Sequence, residues 1–353
     1  MLGAKVRKGP PTIIDVAERA KVSVGTVSNV LNGTREVSEA RRRRVLQAVD
    51  DLGFHQNMLA QALRRNSSSV VGLCVPRSST SYFAALVDAF EKVAASRDFA
   101  IMQVLTHEDP GMELQRIRNL LRYRVDGIIL VPSIDPDATY ELLAKSRTPL
   151  VVIDRPAQDR NFDQVTFANR KAMYESAKQL IALGHRRILF CVQQANLSVS
   201  RQRREGLNQA IQEARHPVAA ELLTSIKEEA AFQEQIREVI SASSPPTAII
   251  VSNSTLAEWI VRGLERLNIR FPDQVSLLAF GEPHWADLIT PKLSVVSQPI
   301  NEIAINAWEL LLRRMNGETT EARRLEFEGT LILRGSVGPA PAGAGRPRRS
   351  KLI

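Results

Sequence analysis

Apolar residues in the first sixty positions recur at helical spacing, and from about Ser67 onward they gather into short, nearly continuous runs. In the first region the pattern predicts three short helices. Thr12 precedes the first, and Asp15, three positions on, completes a capping-box arrangement. That helix is expected to reach about Ala20, with Lys21-Val22-Ser23 as a turn. Ser23 is placed to cap the second helix, whose Val27, Val30 and Leu31 share one face by i, i+3, i+4 spacing. A loop, "NGTREV", leads to Ser38 and a third helix entered through Arg41 to Arg44. Val45, Leu46, Val49 and Leu52 are expected to form its inner stripe, and Gly53 to end it.

Beyond Ser67 the runs "VVGLCVP", "FAIMQVL", "DGIILVP", "PLVVID", "RRILFCV", "TAIIVSN" and "VSLLAF" read as buried strands. Helix-like segments, such as 83–96 and 112–123, separate them. Strands of near-continuous apolar character alternating with helices predict parallel sheets covered on both faces. The number of strands exceeds what one tidy sheet holds. The fold class expected is therefore α/β, with a small all-α headpiece and two doubly wound subdomains enclosing a ligand cleft. After Leu333 the periodicity lapses, and "GPAPAGAGRPRRSKLI" reads as a flexible basic tail.

Charge sharpens this division. The 353 residues carry a net charge of +9, but it is not spread evenly: residues 1–66 hold twelve Lys/Arg against six Asp/Glu. Residues 339–353 add four basic side chains and no acidic one, so the body between is nearly neutral. A basic head on a neutral body points to a polyanion-binding module. No apolar run approaches the roughly 18 residues that span a bilayer. The N-terminus lacks a signal-like apolar stretch, so a cytoplasmic location without membrane contact is expected. Cys74 and Cys191 lie inside apolar runs and read as small buried hydrophobes of a reduced protein.

The second helix, "VSVGTVSNVLNG", follows the first after about three residues, as a helix-turn-helix requires. Its outer face carries Val24, Gly25, Ser28, Asn29 and Asn32. Asn can pair bidentately with adenine, and a Val methyl can pack on a thymine methyl. Thr26, Ser28 and the helix N-termini can hold phosphates.

The segment "TIIDVAERAKVSVGTVSNVLNGTREVSEARRRRVLQAVDDLGFHQN" resembles the headpiece of the LacI/GalR family of bacterial transcriptional regulators. The likeness continues through "NMLAQALRRN", "RVDGIILVP", "LIALGHRRI" and "PKLSVVSQP" in the family's order. It implies that Val24, Gly25 and Asn29 read bases, and that Thr12, Ser23, Thr26, Ser28 and Asn32 belong to the same DNA-binding surface, largely through phosphates. It also implies that residues 57–65 form a hinge helix on operator DNA, with Asn57, Ala60 and Leu63 on its minor-groove face and Leu63 as an apolar wedge. Gln56 departs from the proline usual there.

The body resembles a periplasmic-type sugar-binding fold. By that resemblance Tyr82, Phe83, Asp154, Arg155, Arg203, Asn253 and Glu282 line an effector cleft. Aromatic faces and a guanidinium fork suit a polar ring ligand. Several acidic groups common in the family are replaced: Ser254 follows Asn253, Gly281 precedes Glu282, and Phe167-Ala168 stand where an Asp-Asn pair is usual. With Arg201, Arg203 and Arg204 clustered, the pattern leans toward an anionic ligand, a sugar acid or phosphorylated sugar. Arg201 and Arg204 also fit a solvated helix face.

The chain contains no P-loop, no glycine-rich dinucleotide fingerprint and no zinc-type His/Cys cluster. It is therefore expected not to be an enzyme and to need no cofactor or metal. Expected partners are double-stranded operator DNA, a carbohydrate-related effector and a second copy of the chain. The domains expected are a headpiece over 1–56, a hinge over 57–68, a core over 69–338 and a tail over 339–353. Within the core, one subdomain takes 69–166 and 299–328, and the other 167–298 and 329–338. The competing reading is a stand-alone sugar-binding receptor, which would need a signal sequence in place of residues 1–66.

Overall fold

A computed structural model describes residues 10–32, 35–54, 67–158, 160–224, 226 and 228–341. The chain divides into two compact units, Met1–Ser68 and Ser69–Ile353. In the first, α1 (Ile13–Ala20), α2 (Val24–Asn32) and α3 (Glu39–Leu52) close a small core of Val16, Ala17, Ala20, Val27, Val45 and Ala48. The capping box is formed. The Thr12 backbone N–H donates to Asp15 Oδ2 at 2.7 Å, and Thr12 Oγ1 accepts from the Asp15 N–H at 3.4 Å. Lys21 ends α1 in the left-handed region at φ 53°, and Gly53 ends α3 at φ 58°.

One core position differs from the expectation. Leu46 is 42 % exposed, and Ala48 is buried in its place. The inner stripe runs 45, 48, 49, 52, spaced i, i+3, i+4, i+7. Leu46 sits about 100° round the helix from Val45, which turns it to solvent.

The second unit holds two six-stranded sheets. The first has the order β11-β5-β4-β3-β1-β2, all parallel: β1 (Val70–Val75), β2 (Ala100–Leu105), β3 (Gly127–Leu130), β4 (Leu150–Asp154), β5 (Asp163–Phe167) and β11 (Arg324–Phe327). The second has the order β12-β10-β9-β8-β6-β7. It comprises β6 (Arg187–Cys191), β7 (Ala219–Leu223), β8 (Ala248–Val251), β9 (Ser276–Phe280), β10 (Ser294–Ser297) and β12 (Thr330–Ile332). Only its edge strand β12 runs antiparallel, against β10. Helices α4 (Ser81–Ala95), α5 (Pro110–Arg122), α6 (Asp137–Ser146) and α11 (Ile300–Met315) cover the first sheet. Helices α7 (Asn169–Ala182), α8 (Ser198–Gln212), α9 (Glu229–Ile240) and α10 (Ser254–Arg266) cover the second. Cys74 and Cys191 are buried free thiols, and burial raises both far above the usual range.

The chain passes between the sheets three times, after β5, after β10 and between β11 and β12. Tight turns mark the first two passages: Ala168 has φ −73°, ψ 63°, and Pro299 has φ −79°, ψ 67°. Helices α7 and α8 then approach so closely that a Cβ on Gly206 would overlap the Arg170 carbonyl oxygen. That approach fixes α8, whose first turn faces the cleft.

Candidate DNA-reading surface and effector cavity

In the headpiece, burial of Val27 sets the rotation of α2. Ser23, Val24 and Gly25 are consequently exposed, with Val24 at 42 %. Ser23 Oγ accepts the Thr26 N–H at 3.2 Å and pairs with Thr26 Oγ1 at 2.9 Å, closing the helix start. Ser28, Asn29 and Asn32 are half-buried, and Asn32 Nδ2 donates to Ser28 Oγ at 3.1 Å. A Cβ on Gly25 would meet only Ser23 Oγ, at 3.8 Å, so the fold itself does not require glycine there. Arg41 to Arg44 are exposed along the start of α3 and supply positive charge. Asn57, Ala60 and Leu63, like Gln56, lie outside the described residues.

In the second unit, a cavity of about 710 Å³ opens at the C-terminal ends of the strands of both sheets, within the range of small-molecule sites. Tyr82, Phe83, Asp154, Arg155, Arg203 and Asn253 all line it. Asp154, ending β4, adopts φ 66°, and the Arg155 N–H closes a three-residue turn on the Ile153 carbonyl at 2.7 Å. A non-glycine residue held in this region costs of order 1–3 kcal/mol, and such residues cluster at functional sites. The Tyr82 hydroxyl donates to Asp154 Oδ1 at 2.9 Å, and Tyr82 meets Phe83 edge-on at 5.1 Å between ring centroids. Burial lifts the Asp154 carboxyl above its ordinary range, against the opposing pull of Arg155 and the Tyr82 hydrogen bond.

Arg155 is committed inside the protein. Its Nη1 and Nη2 each donate to a Glu108 carboxylate oxygen at 2.6 Å, and Nη1 also reaches the Pro132 carbonyl at 2.6 Å. Glu108 itself is positioned by two successive left-handed residues, His107 at φ 52° and Glu108 at φ 61°. Asn253 is likewise engaged: its Oδ1 caps α10 at the Leu256 N–H, and its Nδ2 donates to Gln193 Oε1.

Arg203, on the first turns of α8, is 7 % exposed. Its Nε donates to Asn169 Oδ1 at 2.7 Å, and its Nη1 to the Ser252 carbonyl at 2.6 Å. Its guanidinium lies 4.1 Å from the Phe280 ring centroid. The flanking arginines do not share this place. Arg201 is exposed and turns to the Asn196 carbonyl, and neither it nor Arg204 lines the cavity. A three-arginine cluster in the cleft is therefore not what forms; helical geometry points Arg203 inward and its neighbours along the surface.

The expectation for Glu282 is overturned. It is exposed, does not line the cavity, and pairs with Arg334 from the segment after β12. Gly281, at φ 81°, turns the chain at the end of β9 and directs Glu282 outward. Sequence reasoning missed Glu108, Arg77, Gln193 and Gln298, all at the cavity. Three of them, Arg77, Gln193 and Gln298, follow β1, β6 and β10 by one or two residues, and that strand-end position was the available signal. Among the described residues, no helix is long and apolar enough to cross a membrane, and no group of His, Cys, Asp and Glu is arranged to hold a metal ion.

Residues 12–57 match the family model described as bacterial regulatory proteins, lacI family, and residues 177–337 match a periplasmic binding protein-like domain. The chain is 30 % identical over 328 residues to the HTH-type transcriptional repressor PurR of Photobacterium profundum, covering 92 % of this chain and 98 % of that protein. It is 27 % identical over 326 residues to catabolite control protein A of Priestia megaterium, covering 90 % and 98 %. The fold matches a crystal structure of the lac repressor dimer bound to operator and an anti-inducer, with TM-score 0.82 and 22 % identity over 94 % of this chain and 100 % of that one.

Proposed function

This chain belongs to the lacI family of bacterial regulatory proteins, and from that premise we propose that it is a repressor that binds a pseudo-palindromic operator as a homodimer under the control of a small carbohydrate-related effector. It is a helix-turn-helix transcriptional regulator rather than an enzyme. The observation that carries the operator reading is α2. Its apolar side is locked into the headpiece by Val27, while Val24 and Gly25 are exposed and Asn29 lies one turn on. The roles follow from side-chain chemistry: Val24 packs on a thymine methyl, Asn29 hydrogen-bonds a base edge, and Ser23, Thr26, Ser28, Asn32 and the Thr12 cap hold phosphates.

Residues 57–68 are the hinge in this reading, with Asn57 and Ala60 in the minor groove and Leu63 wedging a base step. The effector acts at the cavity around Arg203 and Tyr82. A ligand that prefers one arrangement of the two sheets shifts DNA affinity by its differential affinity and no more. A second copy of the chain supplies the second half-site contact, since two-fold protein symmetry is what a palindrome matches. The site of action is the cytoplasm, where the chromosome lies.

Selection of bound duplexes from a randomised library by the purified full chain tests the reading. Enrichment of a sequence with two-fold symmetry is expected, lost with Asn29→Ala and weakened with Leu63→Ala. Binding without sequence enrichment would overturn it.

A further inference from the structure

The polar side chains of the cavity do not balance in charge. Three guanidinium groups, Arg77, Arg155 and Arg203, face two carboxylates, Glu108 and Asp154. Arg155 is neutralised by its two-pronged pairing with Glu108 and lies 3.6 Å from Asp154. Asp154 is also held by Tyr82. Neither Arg77 nor Arg203 forms an ion pair among the described residues. Arg203 is more than nine-tenths buried, and burial pulls its guanidinium down to about 10, despite the pull of Asp154. A buried charge with no ion-pair partner in contact is costly, and a structure keeps one only where something else compensates it.

What remains free on Arg203 is directional. Nε and Nη1 are spent on Asn169 and Ser252, which leaves Nη2 without a protein acceptor among the described residues. Beside it begins α8, a helix of 15 residues whose N-cap, Leu197, offers no side-chain acceptor. The N–H groups of Ser198, Val199 and Ser200 likewise find no acceptor among the described residues, and Leu197, Val199 and Ser200 line the cavity. A buried donor and an uncapped helix start therefore line the same cavity, and hydrogen bonding and the helix dipole both favour an anion there.

We infer that the cavity takes a polyhydroxylated monocarboxylate, a sugar-acid type of molecule, with its carboxylate seated on Arg203 Nη2 and the first-turn N–H groups of α8. The inference rests on the effector reading above and names the chemistry of that effector. Charge decides between a carboxylate and a phosphate ester. The lining carries one positive charge in excess, which a single carboxylate neutralises, whereas a phosphate near two negative charges would leave an uncompensated one. Glu108 and Asp154 are already engaged by Arg155 and Tyr82, so the hydroxyls would meet mainly the amides Gln193, Gln194, Asn196 and Gln298.

Calorimetric titration of the full chain near neutral pH tests this. The probes are D-gluconate, D-glucuronate and D-galacturonate, each beside D-glucose or D-galactose and the matching 6-phosphate. At least one carboxylate should bind about tenfold or more tightly than its neutral and phosphorylated counterparts, the scale of a charge-assisted hydrogen bond. Arg203→Gln should abolish that preference. Arg77→Glu, at a half-buried position, should reduce carboxylate affinity more than neutral-sugar affinity. A neutral sugar or a phosphate binding as tightly as every carboxylate, or no carboxylate binding at all, would overturn the inference. Failure of the effector reading is distinct: a carboxylate would bind through Arg203 with no change in operator affinity.

Discussion

Arg203 donates a 2.7 Å hydrogen bond from Nε to Asn169 Oδ1, joining the buried cation of the cavity to the residue at which the chain leaves the first sheet for the second. Asn169 is itself 1 % exposed, and its Nδ2 donates to the Phe167 carbonyl across the Ala168 turn. A ligand pulling on Arg203 thus pulls on a passage between the two sheets. This gives the proposed effector a physical route to their relative angle.

Asn169→Ala should therefore do two things. Leaving Arg203 Nε buried without an acceptor costs about 1–3 kcal/mol, read as a fall of a few degrees in melting temperature for a core of this size. The variant should also respond less to effector, measured as the ratio of operator affinities with and without it. An unchanged ratio would mean that the crossover plays no part in transmission.

Gly25 offers a prediction of opposite sign. A methyl group there meets nothing closer than 3.8 Å, so Gly25→Ala should stabilise the headpiece by up to about 1 kcal/mol, less so near the helix start. Because glycine contributes no side-chain contact, randomising the operator base pair opposite it should cost less affinity than randomising the pair opposite Asn29. Equal penalties would mean that α2 meets DNA in another orientation.

The helix start carrying Arg203 depends on Gly206. A Cβ there cannot be accommodated without moving the Arg170 backbone, so Gly206→Ala should destabilise the core by about 1–3 kcal/mol. Chemical denaturation measures it, and a neutral effect would show that α7 and α8 separate freely.

Stability should also depend on His185. It is fully buried, with Nε2 donating to the Gly338 carbonyl and Nδ1 paired with Thr247 Oγ1 at 3.0 Å. Burial, with Arg186 adding to it, lowers its pKa from 6.5, and the Gly338 carbonyl opposes the shift. The folded state therefore binds this proton less readily than the unfolded state. The contribution is fully present above about pH 6.5 and is lost as pH falls below that value toward the folded one. Thermal melts should show a smaller acid-side loss in His185→Gln than in the parent chain; an equal loss would remove His185 from the account.

Strands such as β3, β4 and β9 are fully buried and mostly apolar, and burial on both faces is what makes a parallel strand legible in the sequence. β5, "DQVTF", was not legible. Its Asp163 and Gln164 are buried because Arg314 and the Ala157 backbone satisfy them, and both partners come from outside the strand. β7, β11 and β12 are short edge strands with half-buried side chains, which periodicity does not separate from loop. In the cavity, Tyr82, Asp154 and Arg203 were reached through the family resemblance. Glu108 was not, because two consecutive left-handed residues put it there and no residue type announces such a conformation.

The most direct test of the central claim, that a ligand at Arg203 governs DNA binding by α2, is the affinity of one cavity ligand measured with and without bound operator. Linkage requires the two sites to change each other by the same factor. With the tightest-binding sugar or sugar acid, operator should shift ligand affinity by the factor by which ligand shifts operator affinity, and both shifts should vanish in Arg203→Gln. Ligand affinity that is identical on free and operator-bound protein would contradict it.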